Sequence, residues 1–309
     1  MMNRECYSFR AMNTDVHVIE EFPWSEGNNE EMKRWFQEVE QTCSRFLPAN
    51  ELAQFNEAEV GTVMKVSPLL FEVIKQAIHY STITDGYFNP LVGRNMEEIG
   101  YDRSFEQMVE IEESHDPVIA PREVAPFQFD DASCTILKQT EEKIDLGGLA
   151  KGWAVDRGAR LMRQVGVAEG QLNAGGDLTI WGDQETLLGI AHPEKEAVDI
   201  AQFYMREGSV ATSNKVFRSW RQGAIQRHHL LNGQTGLPAD SDIVQATVFA
   251  KTTAEAEVIA KVLCIFTFDK ALSWMLNHFP HAAALIIHEN GQVKVSHTIK
   301  HYTKKLMLS

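Results

Sequence analysis

Ile144-Asp145-Leu146-Gly147-Gly148-Leu149-Ala150-Lys151-Gly152-Trp153-Ala154-Val155-Asp156 runs from a short apolar, strand-like segment through a glycine pair into a helix. A glycine pair lets backbone N–H groups approach a ligand closely, and the helix start that follows presents unpaired donors at the positive end of its dipole. That combination suits a phosphate or pyrophosphate. The order G-x-x-x-x-G-K-[ST] is missing and no G-x-G-x-x-G occurs, so neither common nucleotide fold is supported. The plain alternative is a glycine turn between strand and helix with Lys151 in solvent.

Outward from this stretch, the helix reads from Ala150 to Val165 and stops at Gly166. Strand-like runs follow at Leu178–Trp181, Leu187–Ala191, Val210–Thr212 and Val244–Ala250. Thr252 and Thr253 cap a helix reaching about Phe266, and Lys270 to Phe279 makes another. Ala282–Ile287 and Val293–Ser296 form a hairpin across Asn290-Gly291, a dipeptide suited to the positive φ of a primed turn. On the N-terminal side, Met32, Trp35, Phe36, Val39 and Cys43 give Asn28–Phe46 a helical apolar spacing, and Ser67-Pro68 opens a second helix. The stretch from Arg103 to Asp131 is acidic and weakly periodic, and reads as a surface excursion. Mixed helices with mostly antiparallel strands predict an α+β fold in one domain of two lobes, a helical one over about residues 1–140 and a second over about 141–300.

Two further segments carry possible chemistry. The pair in Leu172-Asn173-Ala174-Gly175-Gly176-Asp177 reads as a β-bulge or a close backbone contact, the bulge being the commoner case. His228-His229-Leu230-Leu231-Asn232-Gly233-Gln234-Thr235-Gly236-Leu237-Pro238 puts two imidazoles before a turn. Neighbours on an extended strand point to opposite sides, so at most one faces a given site as general base.

The 309 residues hold 43 acidic side chains against 29 basic ones, a net charge of −14. Such a field repels nucleic acid, and it repels a dianionic nucleotide too unless helix ends, lysines or a cation compensate locally. The four cysteines (Cys6, Cys43, Cys134, Cys264) are scattered without C-x-x-C or ligand spacing, which predicts free thiols. No signal-like apolar region, lipid-attachment cysteine or long apolar span is found, so a cytoplasmic location is expected.

The order of several segments is more telling than any one of them. Ala11-Met12-Asn13-Thr14, Ser44-Arg45-Phe46 with Glu51-Leu52 and Asn56, Asp85-Gly86-Tyr87-Phe88-Asn89-Pro90, Asp145 to Gly152, Asn173 to Gly176, Ala211-Thr212-Ser213 and His229 to Pro238 together resemble the ApbE family of FAD:protein FMN transferases. The resemblance implies Mg²⁺-dependent cleavage of FAD at a cleft between two lobes, with FMN passing through a phosphoester bond to a Ser or Thr of an acceptor protein. By position, the family's FAD contacts fall on Met12, Phe46, Tyr87, Phe88, Asn89, Asp145, Lys151 and Leu230. Lys151 and the glycine backbone would meet the diphosphate, aromatics would flank a ring, and Asp145 would accept from a ring or ribose group. His229 is the position for a base that receives the acceptor hydroxyl's proton. Two other readings remain: a non-catalytic FAD-binding homologue, and a hydrolase of the FAD pyrophosphate.

The family's metal positions fall on Gly148, Ala254, Glu257 and Lys261, and here the chain departs from the pattern. A usual Ala-Asp-x-x-x-Thr is Ala256-Glu257-Val258-Ile259-Ala260-Lys261; Asn89 and Asn232 stand where Asp is usual, and Asn214 where Gly is. Residues four apart share a helix face, so Glu257 and Lys261 point to the same place, and an ammonium is not a ligand. Either Lys261 supplies the charge that Mg²⁺ otherwise brings, or it swings to solvent or pairs with Glu257 and leaves a site that takes Mg²⁺ through Glu257 and backbone carbonyls.

Overall fold

Alternating burial along Thr14–Glu20, with Val16 and Val18 fully inside, marks a strand with one face on a core. It pairs with Glu5–Ala11 in a tight hairpin that opens an eight-stranded, wholly antiparallel sheet. The spatial order continues through Gly170–Ala174, Asp177–Trp181, Gly208–Asn214, Ile243–Ala250, Ala283–His288 and Val293–Val295. The computed structural model describes residues 5–20, 26–108, 125–217, 219–222 and 225–308. Seven α-helices occur among the described residues: α1 (Glu26–Cys43), α2 (Glu51–Glu57), α3 (Pro68–Ile83), α4 (Gly93–Glu98), α5 (Ala150–Gln164), α6 (Thr253–Leu263) and α7 (Ala271–His278). The α+β class holds.

The chain divides into two compact units, each drawn from separate stretches. The first comprises residues 1–37, 151–217 and 241–309, and the second residues 38–150 and 218–240. In the first, one face of the large sheet meets a three-stranded sheet of Thr186–His192, Lys195–Met205 and Leu306–Leu308 around Ile190, Phe203, Phe249 and Leu285. Phe203 and Phe249 meet edge-on at 4.8 Å between centroids. Helix α6 packs on Gly208–Asn214 and Ile243–Ala250, so these strands are covered on both faces. That is why Ile243–Ala250 is buried almost without a break instead of alternating, its Gln245 and Thr247 included.

The second unit holds α2, α3 and α4, a three-stranded sheet of Val63–Lys65, Thr135–Lys138 and Phe127–Asp130, and the hairpin Ser219–Gln222/Ile225–His228. Ser67 caps α3 as its sequence predicts, accepting from the Leu70 amide at 3.2 Å with Pro68 in the first turn. Residues 109–124, the middle of the acidic excursion, lie outside the described residues.

Two local expectations change. The segment Lys143–Gly148 forms no strand; Ile144 exchanges both backbone groups with the side-chain amide of Asn56, at 2.8 and 3.0 Å, and the Asp145 amide donates to the Pro90 carbonyl. A side chain thus satisfies the backbone that a neighbouring strand would otherwise pair. Gly175-Gly176 is not a bulge but the two-residue turn joining Gly170–Ala174 to Asp177–Trp181, with φ of +62° and +93°.

Lys138 is the least expected core residue, 1% exposed. Its Nζ donates to the carbonyls of Phe55, Asn56 and Ala58 at 3.3, 2.7 and 2.8 Å, closing the C-terminal end of α2, and burial lowers its pKa. A cation at this end also complements the helix dipole. Lys138→Met should therefore lower unfolding free energy by about 3 kcal/mol, read by urea titration, because three carbonyls lose their donor in a dry site.

Candidate functional site

In the first unit two hairpin turns lie side by side at one end of the large sheet. Met12 and Asn13 make the loop between Ala11 and Thr14, both left-handed at φ +53° and +56°. Asn tolerates that conformation readily, whereas a left-handed Met costs about 1 to 3 kcal/mol and is kept only where its surroundings fix it. The Gly175-Gly176 turn is held against this loop: the Gly175 amide donates to the Asp15 carbonyl at 3.1 Å, and a Cβ on Gly175 would lie 2.1 Å from Thr14 Oγ1. Asp177 follows the turn, buried, and its carboxylate accepts from the Thr212 amide and pairs with Lys151 at the start of α5.

The same helix start is locked to α6. A Cβ on Gly152 would stand 2.8 Å from the Ala254 nitrogen and from the Thr253 carbonyl carbon and oxygen, so only glycine lets the two backbones approach this closely. Across this contact each helix caps the other. Asp156 of α5 accepts from the Thr253 and Ala254 amides at 2.7 and 2.9 Å, and Glu257 of α6 accepts from the Gly152 amide at 2.8 Å. Burial pushes the Asp156 carboxyl up to about 6, against the downward pull of those amides. Glu257 is 1% exposed, yet the facing Lys261 and Lys151 ammoniums, with the Gly152 amide, outweigh burial and hold its pKa below the usual value.

Lys261 lies one helical turn beyond Glu257, its Nζ 3.0 Å from Glu257 Oε1. Every oxygen of Asp156, Asp177 and Glu257 therefore already carries a donor or an ammonium. Among the described residues no group of three His, Cys, Asp or Glu could hold a metal ion. A dication about 4 Å from an ammonium, at an effective dielectric constant of about 20, meets roughly 8 kcal/mol of repulsion. The side chains at the metal positions in this unit do not fit a divalent cation as they stand, and Lys261 pairs with Glu257 instead of turning to solvent.

The second unit holds the remaining positions. Arg45 Nε donates to Asp145 Oδ2 at 2.9 Å, and Asp145 Oδ1 accepts from the Gly147 amide at 2.6 Å, which fixes the glycine turn before α5 and places Gly148 in it. The guanidinium carbon lies 4.2 Å from the Phe46 ring centroid and 4.9 Å from that of Tyr101, which itself stacks on Trp220 at 5.2 Å. Arg45 Nη2 is buried without a hydrogen-bond partner, a donor waiting for an anion or carbonyl. Arg45 is the residue that site reasoning from sequence passed over; its place just before Phe46 was the available signal.

The segments 85–91 and 228–239 interlock beside this. Asn89 donates to the Gly233 carbonyl at 3.0 Å and accepts from the Leu91 amide, the Gly233 amide donates to the Tyr87 carbonyl, and a Cβ on Gly233 would collide with Gly86, Tyr87 and Asn89. Phe88 and Leu230 are buried, whereas Tyr87 is partly open. His228 Nδ1 accepts from the Leu230 amide, so its Nε2 carries the proton and donates to the Ala239 carbonyl at 3.1 Å. This fixes His228 in a structural role; His229, just past the strand end, is half-buried.

The first unit thus carries two lysines paired with buried carboxylates, and the second an aromatic-backed guanidinium, on an α+β scaffold. Residues 12–286 match the ApbE family, and the chain belongs to it. It is 24% identical over 296 residues to the FAD:protein FMN transferase of Treponema pallidum, covering 86% of this chain and 78% of that one. To the Vibrio cholerae FAD:protein FMN transferase it is 24% identical over 250 residues, covering 79% and 74%. Among solved structures, the ApbE protein of Thermotoga maritima superimposes with a TM-score of 0.82 at 23% identity, over 98% of this chain and all of that one. The V. cholerae flavin transferase ApbE gives 0.77 at 20%, over 97% and 99%.

Two outcomes test the helix junction. Gly152→Ala should cost about 3 kcal/mol or more in denaturant unfolding, since its new methyl meets backbone that cannot yield. Because the folded pKa of Asp156 stands above its ordinary 3.8, wild-type stability relative to Asp156→Asn should fall as pH rises from near 3.8 to about 6. Paired thermal melts across that range read the slope.

Proposed function

We propose that this chain is an FAD:protein FMN transferase. The observation that carries the reading is the family match over residues 12–286, which takes in every site residue of both units from Met12 to Lys261, together with the activity borne by the curated relatives. In the proposed reaction a Ser or Thr hydroxyl oxygen of an acceptor protein attacks the FMN-side phosphorus of FAD. The new O–P bond forms as the bond to the bridging oxygen breaks, AMP leaves with that oxygen and its electron pair, and the hydroxyl proton passes to His229.

Phosphoryl-type transfer asks for positioning and charge compensation more than covalent help. Lys151, at the start of α5, suits the diphosphate. The aromatic side chains Phe46 and Tyr87 suit the rings, and the orphaned Nη2 of Arg45 offers a fixed donor for a ring carbonyl or phosphate oxygen. Asp145 acts mainly by holding Arg45 and the glycine turn, its two oxygens being already engaged there.

Incubation with FAD and a candidate acceptor protein should add the mass of FMN to the acceptor and release AMP. His229→Ala should slow labelling by about 10²- to 10⁴-fold with FAD binding retained. Arg45→Met should instead weaken FAD binding by about tenfold, as expected for one charge-assisted hydrogen bond. Release of free FMN and AMP without labelling would identify a hydrolase; intact, retained FAD would identify a binding module.

A further inference from the structure

The place the family assigns to a metal holds charge of its own. Lys151, in the first turn of α5, and Lys261, in the last turn of α6, pair with the buried carboxylates Asp177 and Glu257, and both ammoniums act on Glu257, so the four charges cancel. Side-chain exposures of 20% for Lys261 and 16% for Lys151, against 2% and 4% for their partners, leave the lysine side of each pair partly open and the carboxylate side closed. The lysine side of each pair is therefore the one open to an arriving anion. An arriving dication meets that side too, and the carboxylate oxygens behind it already serve the Gly152 and Thr212 amides.

We propose that the Lys261 ammonium, supported by Lys151, replaces the divalent cation at this site, so that the chain binds a pyrophosphate without metal. The proposal rests on the flavin-transfer reading for the identity of that pyrophosphate, FAD. It does not rest on it for the exclusion of metal. A lysine is held to Glu257 by one i,i+4 contact, which fixes it on the helix face it shares with that carboxylate. Its remaining N–H groups are free to turn to a phosphate oxygen without leaving the carboxylate, as three donors on one nitrogen allow. Thr in its place would uncover one Glu257 oxygen and add a hydroxyl, restoring oxygen ligands of the kind Mg²⁺ takes.

Mn²⁺ titration followed by electron paramagnetic resonance, with and without FAD, tests this directly on the full chain. Wild type is expected to take no stoichiometric Mn²⁺, Lys261→Thr to take one equivalent and to gain thermal stability from it. FAD affinity of wild type is expected to stay within about twofold between EDTA and Mg²⁺ buffers, and that of Lys261→Thr to become Mg²⁺-dependent by about tenfold. Where Lys261→Thr fails to fold, the neutral pair Glu257→Gln with Lys261→Met keeps the shape; it should lose about tenfold in FAD affinity without rescue by Mg²⁺. One equivalent of Mn²⁺ on wild type, abolished by Glu257→Gln, overturns the proposal. So does tenfold tighter FAD binding by wild type in Mg²⁺, or wild-type affinity in the neutral pair. A wild type that takes neither FAD nor Mn²⁺, beside a Lys261→Thr that takes Mn²⁺, retires FAD as the ligand and leaves the lysine in the cation's place.

Discussion

The approach of α5 to α6 at Gly152 is the constraint on which the first unit's site is built. Two helix starts brought backbone to backbone would ordinarily leave several amides unpaired and two positive dipole ends facing each other. Asp156 and Glu257 answer both problems, each capping the other helix from within its own sequence. The carboxylates are buried by the contact they support, and this is what raises the Asp156 pKa and makes the ammonium beside Glu257 necessary. Capping, burial and charge balance thus form one problem with one solution. Lys151 and Lys261 belong to it as much as the glycine does.

A parallel logic runs through the second unit on a different chemical footing. There the guanidinium of Arg45 is fixed by a carboxylate on one side and by aromatic faces on the other, a weakly hydrated planar cation well suited to both. Asn89 and Gly233 knit two loops where a larger residue at Gly233 would collide with the backbone. Asn at position 89 does this work through one donor and one acceptor, a pair of bonds that an ionised Asp could not make in full. Asn214 likewise spends its amide on Pro193 and Gln245 and its oxygen on the Val216 and Phe217 amides. The departures from the family pattern at these two positions are accommodated locally.

Much of the architecture is legible in the chain. The cap of α3 follows from Ser67-Pro68, the hairpin at Asn290-Gly291 from the turn chemistry, and α5 from its apolar spacing after the glycine pair. The strand expected at Lys143–Gly148 is absent because the Asn56 amide, 88 residues away, takes the place of a neighbouring strand. Gly175-Gly176 makes a turn and not a bulge because Ala174 and Asp177 pair across it, a register that no local pattern fixes.

By itself the sequence determined the class of fold, the glycine-to-helix junction, the family resemblance and the oddity of a lysine at position 261, because these rest on residue type and on spacing within one segment. The tertiary structure decided what those residues do. That Gly152 serves helix contact, that Asp156 and Glu257 cap across helices, and that Arg45 is fixed by Asp145 with a buried donor left open all depend on partners distant in the chain. Hydrogen bonds and desolvation act over a few ångströms in space, and spacing along the chain does not record which distant groups will share that volume.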